Sequence, residues 1–159
     1  MKLFLLLFVS VLLSGITSCV KSKKIDASAV IDEVKLQQLC DSGQAIECSN
    51  LGYKYELGKE VKLDYIKAAE LFRKACDGGF SIGCSDLGLL YQEGKGVSQD
   101  YAKAVELFRK DCDVGYSYGC SHLGLMYLEG KGIEQDNIKA AELFSKDCDG
   151  ALKYRGCFN

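Results

Sequence analysis

The chain has 159 residues, a length that suits one compact domain or one short array of repeats. Its 20 lysine and arginine residues nearly balance its 22 aspartate and glutamate residues, which argues against a nucleic-acid-binding protein with a basic surface. Nine cysteines are many for a cytosolic chain and raise the question of an oxidising compartment.

Residues 1–18 have the layout of a secretory signal peptide. Lys2 supplies a positive start, an apolar run of eleven residues extends from Leu3 to Leu13, and small or polar residues lead to Cys19. The run is shorter than the roughly 20 apolar residues that span a bilayer as a helix. The pattern therefore predicts an exported protein from which this segment is removed.

Cys19 is a predicted lipidation site, because residues 16–19 resemble the lipobox of bacterial lipoproteins. The other eight cysteines can pair, and acylation would account for the one that is left over. Residues 19–27 would then be a lipidated N-terminus and basic linker that hold the protein at the periplasmic side of a bacterial membrane. The alternative is a secreted protein, cut by a different peptidase, with Cys19 lost or unpaired.

Residues 28–39 are the first predicted helix, which caps the N-terminal end of a repeat domain over residues 40–159. Three copies of one 36-residue unit follow without a gap at 40–75, 76–111 and 112–147, and a partial fourth copy occupies 148–159. A fixed period of this length is the signature of stacked repeats, each of which buries its apolar face against its neighbours.

The first half of each unit predicts a helix. Cys48, Leu51, Gly52 and Tyr55 fall at i, i+3, i+4 and i+7, one face of a helix, and the pattern recurs in the next two copies. A glycine inside a helix costs about 1 kcal/mol, so its recurrence predicts close approach of a neighbouring helix backbone. A second recurring glycine ends this helix in the left-handed conformation; it is Gly58, Gly94 or Gly130.

The second half predicts another helix, antiparallel to the first and about 12 residues long. An aspartate suits its N-cap in every copy, and an alanine, a leucine and a phenylalanine form its apolar face; in the first copy these are Asp64, Ala68, Leu71 and Phe72. Glutamate and lysine four residues apart, such as Glu70 and Lys74, predict ion pairs on a solvated face.

The cysteines predict four local disulfides in series. Each pair joins the end of a second helix to the start of the next first helix across a glycine-containing turn, within disulfide reach. Three pairs enclose seven residues and the fourth encloses eight. Zinc is the poorer interpretation, because zinc-binding cysteines usually lie two to four residues apart and the chain has one histidine. The predicted pairs are Cys40 with Cys48, Cys76 with Cys84, Cys112 with Cys120 and Cys148 with Cys157.

The pattern Leu-Gly-x-x-Tyr, Gly-x-Gly and Asp-x-x-Lys-Ala-x-Glu-Leu-Phe resembles Sel1-like repeats, relatives of tetratricopeptide repeats. With paired cysteines at this period, residues 28–157 are similar to the Helicobacter cysteine-rich proteins. The resemblance implies an all-α, right-handed α-solenoid of antiparallel helix pairs whose concave face binds a protein or peptide, including contact with a host. It also implies binding of penicillin-type β-lactams or weak β-lactamase activity.

The residues themselves predict no catalytic site, metal site or cofactor. A serine β-lactamase needs a Ser-x-x-Lys nucleophile, and the single match begins at Ser18, across the predicted processing site. Ser121 and His122 are sequential, so they point about 100° apart on a helix and form no nucleophile–base pair.

Polar and apolar residues beside the core stripe of the first helices are the candidate binding groove, because they vary from copy to copy. The alternative is that the leucines among them pack as core and that the protein is a structural spacer. Aromatic residues in the cysteine loops, Phe80, Tyr116 and Tyr118, predict either adhesive edges or covers for the disulfides. The groove candidates are Asn50, Tyr53, Asp86, Leu89, Gln92, His122, Leu125 and Leu128.

Overall fold

The computed structural model describes residues 27–151, with side-chain environments for residues 32–145. This range folds into seven α-helices and contains no strand. The predicted signal peptide and the predicted lipidation site at Cys19 lie outside the described residues. The helices are α1 (Ala27–Asp41), α2 (Ala45–Leu57), α3 (Tyr65–Asp77), α4 (Ser81–Glu93), α5 (Tyr101–Asp113), α6 (Ser117–Glu129) and α7 (Asn137–Ala151).

Each helix packs against the next one in the chain, and α4 also contacts α6. Helices α2/α3, α4/α5 and α6/α7 are the two halves of the three repeat units, and α1 packs on α2. The predicted all-α architecture of stacked helix pairs is confirmed. None of the described helices is long and apolar enough to cross a membrane.

The predicted helix boundaries follow local chemistry. The Asp64 side chain accepts hydrogen bonds from the backbone N–H groups of Ile66 and Lys67, which caps the start of α3. Asp136 caps α7 in the same way, and the Asp100 side chain caps α5 by accepting a hydrogen bond from the backbone N–H of Lys103. Gly58, which ends α2, has φ +61° and lies in the left-handed region that favours glycine.

The recurring glycine of the first helices faces an aromatic ring. A Cβ atom added at Gly52 would lie 2.7 Å from the Phe72 ring, and one at Gly88 would lie 2.8 Å from the Phe108 ring. The prediction that a neighbouring helix backbone approaches these glycines is therefore wrong. The rings of the paired second helix fill this space and are completely buried.

Three disulfides join consecutive helix pairs: Cys40–Cys48, Cys76–Cys84 and Cys112–Cys120. Their Cα atoms are 4.5–4.6 Å apart, within the usual range for disulfides. The chain reverses inside each loop at a glycine with positive φ, for example +88° at Gly79. Each of these bonds thus closes the turn between one helix and the next with a covalent link.

The fourth predicted disulfide, between Cys148 and Cys157, falls outside the described residues. Cys157 lies outside the described residues. Cys148 belongs to α7, but its side chain lies outside the described range of side chains. The bond between Cys148 and Cys157 therefore stays a prediction, whereas the other three are confirmed.

The predicted Glu70–Lys74 ion pair is absent from the described residues. Lys74 Nζ instead lies 2.9 Å from Asp41 Oδ1, so the charge connects α3 to α1 rather than to its own helix. Both side chains are about half exposed, and exposed pairs of this kind contribute about 0–1 kcal/mol.

Candidate functional site

The eight groove candidates do not form one exposed stripe. Asn50, Tyr53, Leu125 and Leu128 are exposed, whereas Asp86 retains 4% of its accessible surface. The remaining three candidates, Leu89, Gln92 and His122, are half-buried.

Leu89 serves the core rather than a free surface. It packs against the buried cluster that includes Val105, Phe108 and Leu123. The two later leucines differ, because Leu125 and Leu128 are 39% and 43% exposed. The alternative interpretation of the leucines as core therefore applies to the second repeat and not to the third.

An open pocket of about 400 Å³ lies where the first helices of the three repeats meet. We call it the tyrosine pocket. Sequence analysis placed Tyr53 in the groove and the other two tyrosines in a cysteine loop, and the fold brings them together. The lining residues are Tyr53 from α2, Ile82 from α4, and Tyr116, Ser117 and Tyr118 at the start of α6.

Sequence analysis missed Ile82 as a pocket residue, although a signal was present. The positions 36 residues before and after it are Ile46 and Tyr118, so the second residue of every first helix is large and apolar. A residue that is apolar in all three copies but lies off the i, i+3, i+4, i+7 stripe is a candidate for a surface pocket.

Asp86 is a buried carboxyl group beside this pocket. It accepts a hydrogen bond from Ser49 Oγ at 3.5 Å and is hydrogen-bonded to the Tyr53 hydroxyl. Burial raises the pKa of Asp86 to about 7, and the charges of Glu56 and Asp111 add to the shift while the two hydroxyls oppose it. Burial and Asp86 together also raise the pKa of Tyr53 well above its usual value.

Asp111, at the end of α5, is a second buried carboxylate that sequence analysis missed. Ser85 Oγ donates a 2.6 Å hydrogen bond to Asp111 Oδ2, and Oδ1 has no hydrogen-bond partner among the described residues. A Cβ atom at Gly119 would lie 2.6 Å from Asp111 Cβ, so α6 can pack here only with glycine. The sequence signal for Asp111 is an aspartate at the repeat position that Ala75 occupies in the first copy.

His122 belongs to an aromatic wall. Its ring stacks on Phe108 at a centroid distance of 5.0 Å and meets Tyr118 edge-on at 4.7 Å. Burial lowers the pKa of His122, so the ring is neutral at pH 7. No group of three histidine, cysteine or acidic residues in the described part of the chain could hold a metal ion.

Four carboxyl groups act electrostatically on Tyr118 of the tyrosine pocket without lining it, and we call them the acidic cluster: Glu56, Asp86, Glu93 and Asp111. Burial raises the pKa of Tyr118, and the charges of all four carboxyl groups raise it further. Burial likewise raises the pKa of Glu56, with Glu93 as a second cause. Lys95 is the nearby cation, and its Nζ lies 2.6 Å from Glu93 Oε2. Among residues 32–145, the carboxyl groups that act on Tyr118 and Glu56 therefore outnumber the cations that do so.

The sequence model of the Sel1 repeat family matches residues 48–80, 81–116 and 117–149. No curated protein matches the chain.

Solved structures give the same family. A protective antigen of uropathogenic Escherichia coli with Sel1-like repeats is 35% identical over 74% of this chain, with a TM-score of 0.71. The chain spans only 25% of that antigen. A Sel1 repeat protein from Oxalobacter formigenes is 25% identical over 73% of this chain and 87% of its own, with a TM-score of 0.65. Helicobacter pylori cysteine-rich protein B is 26% identical over 74% of this chain and 90% of its own, with a TM-score of 0.58.

Proposed function

The chain belongs to the Sel1 repeat family, and on that premise we propose that it is a peptide- or protein-binding module that acts outside the cytoplasm. The observation that carries the proposal is the tyrosine pocket, to which all three repeats contribute. The three disulfides support a location outside the cytoplasm, because such bonds persist where the environment is oxidising. The partner is a protein of the bacterial envelope or of a host.

The lining of the pocket suits recognition of a peptide. Tyr53, Tyr116 and Tyr118 are 37%, 47% and 42% exposed, so each of these side chains offers contact area to a ligand. Tyrosine is enriched at interfaces because a rigid ring with a polar end adds contact area at little cost in conformational entropy. The Cys112–Cys120 disulfide closes the turn that carries Tyr116 and Tyr118.

Selection of displayed random 12-residue peptides on the disulfide-bonded protein tests the proposal. We expect selected peptides to bind the wild type and to lose at least tenfold in affinity when Tyr53→Ala and Tyr118→Ala are combined. The matched control is Ile66→Ala with Ile138→Ala, two exposed residues on the second helices, which should leave affinity unchanged. Equal binding to both double variants would rule out the tyrosine pocket as the binding site, and failure to select any peptide would leave only the structural spacer.

We also propose export with removal of residues 1–18 and acylation of Cys19. The support is the signal-peptide layout and the odd number of cysteines. An intact mass of the native protein tests both steps, because it reports the mature N-terminus and any lipid. A mass that includes residues 1–18, or a mature chain that begins elsewhere without lipid, would contradict the anchored form.

The fourth disulfide, between Cys148 and Cys157, is part of the same proposal. Its support is the count of cysteines, which leaves these two as partners once the three confirmed bonds and Cys19 are set aside. Peptide mapping without reduction should recover a fragment with Cys148 linked to one with Cys157. Alkylation of Cys157 in the native, unreduced protein would contradict the bond.

The proposal does not extend to hydrolysis of β-lactams. His122, the sole histidine of the chain, is neutral and packed between Phe108 and Tyr118. The expectation of β-lactam binding rests on the family resemblance alone.

A further inference from the structure

The chain uses one contact repeatedly on its own tyrosines: a lysine ammonium placed over the ring face. Attraction between a cation and the negative face of an aromatic ring acts within about 6 Å of the ring centroid. Five described tyrosines have such a lysine, at centroid distances from 4.7 to 5.7 Å. The pairs are Lys67/Tyr55, Lys95/Tyr65, Lys103/Tyr91, Lys131/Tyr101 and Lys139/Tyr127.

The three tyrosines that line the pocket are the exceptions. Among residues 32–145, no lysine or arginine lies over the rings of Tyr53, Tyr116 or Tyr118. Tyr53 instead meets Phe72 edge-on, and Tyr118 meets His122 edge-on. Every described tyrosine without a cation of its own therefore lies in the same open pocket.

The charges near the pocket are mainly negative and suit a positively charged ligand. The acidic cluster raises the pKa of Tyr118, and the Lys95 charge nearby is already paired with Glu93. The start of α6 lines the pocket with Ser117, and a helix N-terminus carries roughly half a positive charge. That partial positive charge is smaller than the combined negative charge of the carboxylates Glu56 and Asp111. The local field therefore favours a positively charged ligand.

We infer that the tyrosine pocket receives a lysine or arginine side chain of a peptide partner, held by the ring faces of its tyrosines and attracted by the negative charge of the acidic cluster beside it. The inference rests on the proposed function and specifies its ligand chemistry. An acidic side chain would be repelled by this negative charge and a neutral one would gain nothing from it, so the pocket selects by charge as well as by shape.

Two blocked heptapeptides test the inference. Each has alanine at six positions, with arginine at the centre of one and citrulline at the centre of the other; citrulline has nearly the same shape but no charge. Titrations are followed by NMR at pH 8 on the full chain with its disulfides intact. We expect the arginine peptide to bind at least tenfold more tightly and to shift the ring resonances of Tyr53 and Tyr118.

Variants separate this contact from non-specific attraction. Glu56→Gln and Asp86→Asn should each reduce the preference for arginine at least threefold. The matched control Glu70→Gln, an exposed carboxylate on α3, should retain it. Circular dichroism and thiol counts check folding, and Glu56 is half-buried, so the test holds even where Asp86→Asn fails to fold.

The outcomes distinguish the inference from the proposed function. Equal affinity for the two heptapeptides, absence of binding by either, or a preference that survives both charge variants would overturn the inference. Selected 12-residue peptides that lack lysine and arginine, yet depend on Tyr53 and Tyr118, would overturn it while leaving peptide binding established. A second copy of the chain seated in the pocket, seen as a dimer unresponsive to the arginine peptide, would overturn it as well.

Discussion

At the scale of single residues, the molecule places polar groups where its helix pairs meet. Ser49 hydrogen-bonds Asp86 of the next repeat, and Ser85 hydrogen-bonds Asp111 at the end of its partner helix. Serine recurs at this position in every copy, whereas its acidic partner changes. Buried carboxyl groups of this kind reduce stability when ionised, and they persist where they shape a site.

Asp86→Asn should stabilise the protein at pH 8 and change little at pH 4. The folded-state pKa of Asp86, about 7, exceeds its unfolded value of 3.8. The stability that the protonated Asp86 side chain contributes is therefore fully present below its unfolded pKa of 3.8, and it is lost as the pH rises through its folded pKa of about 7. The groups around it are Ser49, Tyr53, Glu56 and Asp111.

By linkage, the gain from this substitution at pH 8 is roughly 2–4 kcal/mol. Urea unfolding of both proteins at pH 4 and pH 8 measures it. A variant that is no more stable than the wild type at pH 8 would show that the Asp86 carboxylate is compensated in the fold.

Gly88→Ala should destabilise the protein, although alanine is the better helix former by about 1 kcal/mol. The added Cβ atom would lie 2.8 Å from the Phe108 ring, which is completely buried and cannot move aside. Overpacking costs typically 1–3 kcal/mol, so we expect a net loss of about 1–2 kcal/mol in chemical unfolding. A double-mutant cycle with Phe108→Leu is the control, because a smaller side chain should reduce that loss.

At the scale of elements, the unit is a helix hairpin with a covalent link to the next hairpin. The aspartate N-cap and the glycine C-cap set where each helix starts and stops. The disulfide then closes the turn between units, from the end of α3 to the start of α4 in the case of Cys76–Cys84. Such short closed loops restrict the unfolded chain less than long ones do.

Replacing Cys76 and Cys84 together by serine should lower the free energy of unfolding by about 2–3 kcal/mol. Denaturant unfolding monitored by circular dichroism gives the value, and the helical content of the folded state should be retained. The matched comparison is the same double replacement at Cys112 and Cys120, which closes an equal loop. No loss of stability in either variant would show that the links serve only to orient the repeats.

At the scale of the whole molecule, stability is distributed along the array, because each helix contacts mainly its neighbours in the chain. Two buried clusters, one around Leu51 and Phe72 and the other around Phe108 and Leu123, follow one another along it. The tyrosine pocket is lined by residues of all three repeats and therefore depends on how successive repeats are stacked.

Leu123→Ala should loosen the molecule locally. Truncation of a buried leucine costs about 2–5 kcal/mol, and hydrogen exchange should accelerate most in α5, α6 and α7, which pack around this position. Leu51→Ala is the matched control, with its largest effect in α1, α2 and α3. Uniform acceleration along the chain in both variants would show that the array unfolds as a single cooperative unit.

The sequence by itself determined the period, because the unit is written out three times, and it determined the helix pairs, their caps and three cysteine pairs, because these follow from patterns within one unit or at its junction with the next. Only the tertiary structure decided that Asp86 is buried, that phenylalanine rings fill the space beside the recurring glycines, and that Tyr53 and Tyr118 line one pocket. The burial of Asp86 and the pocket depend on how α2, α4 and α6 are stacked, whereas the position of the rings depends on how the two helices of one repeat pack together. The angle between successive repeats arises from side-chain packing across them, and a pattern repeated along one chain does not contain it.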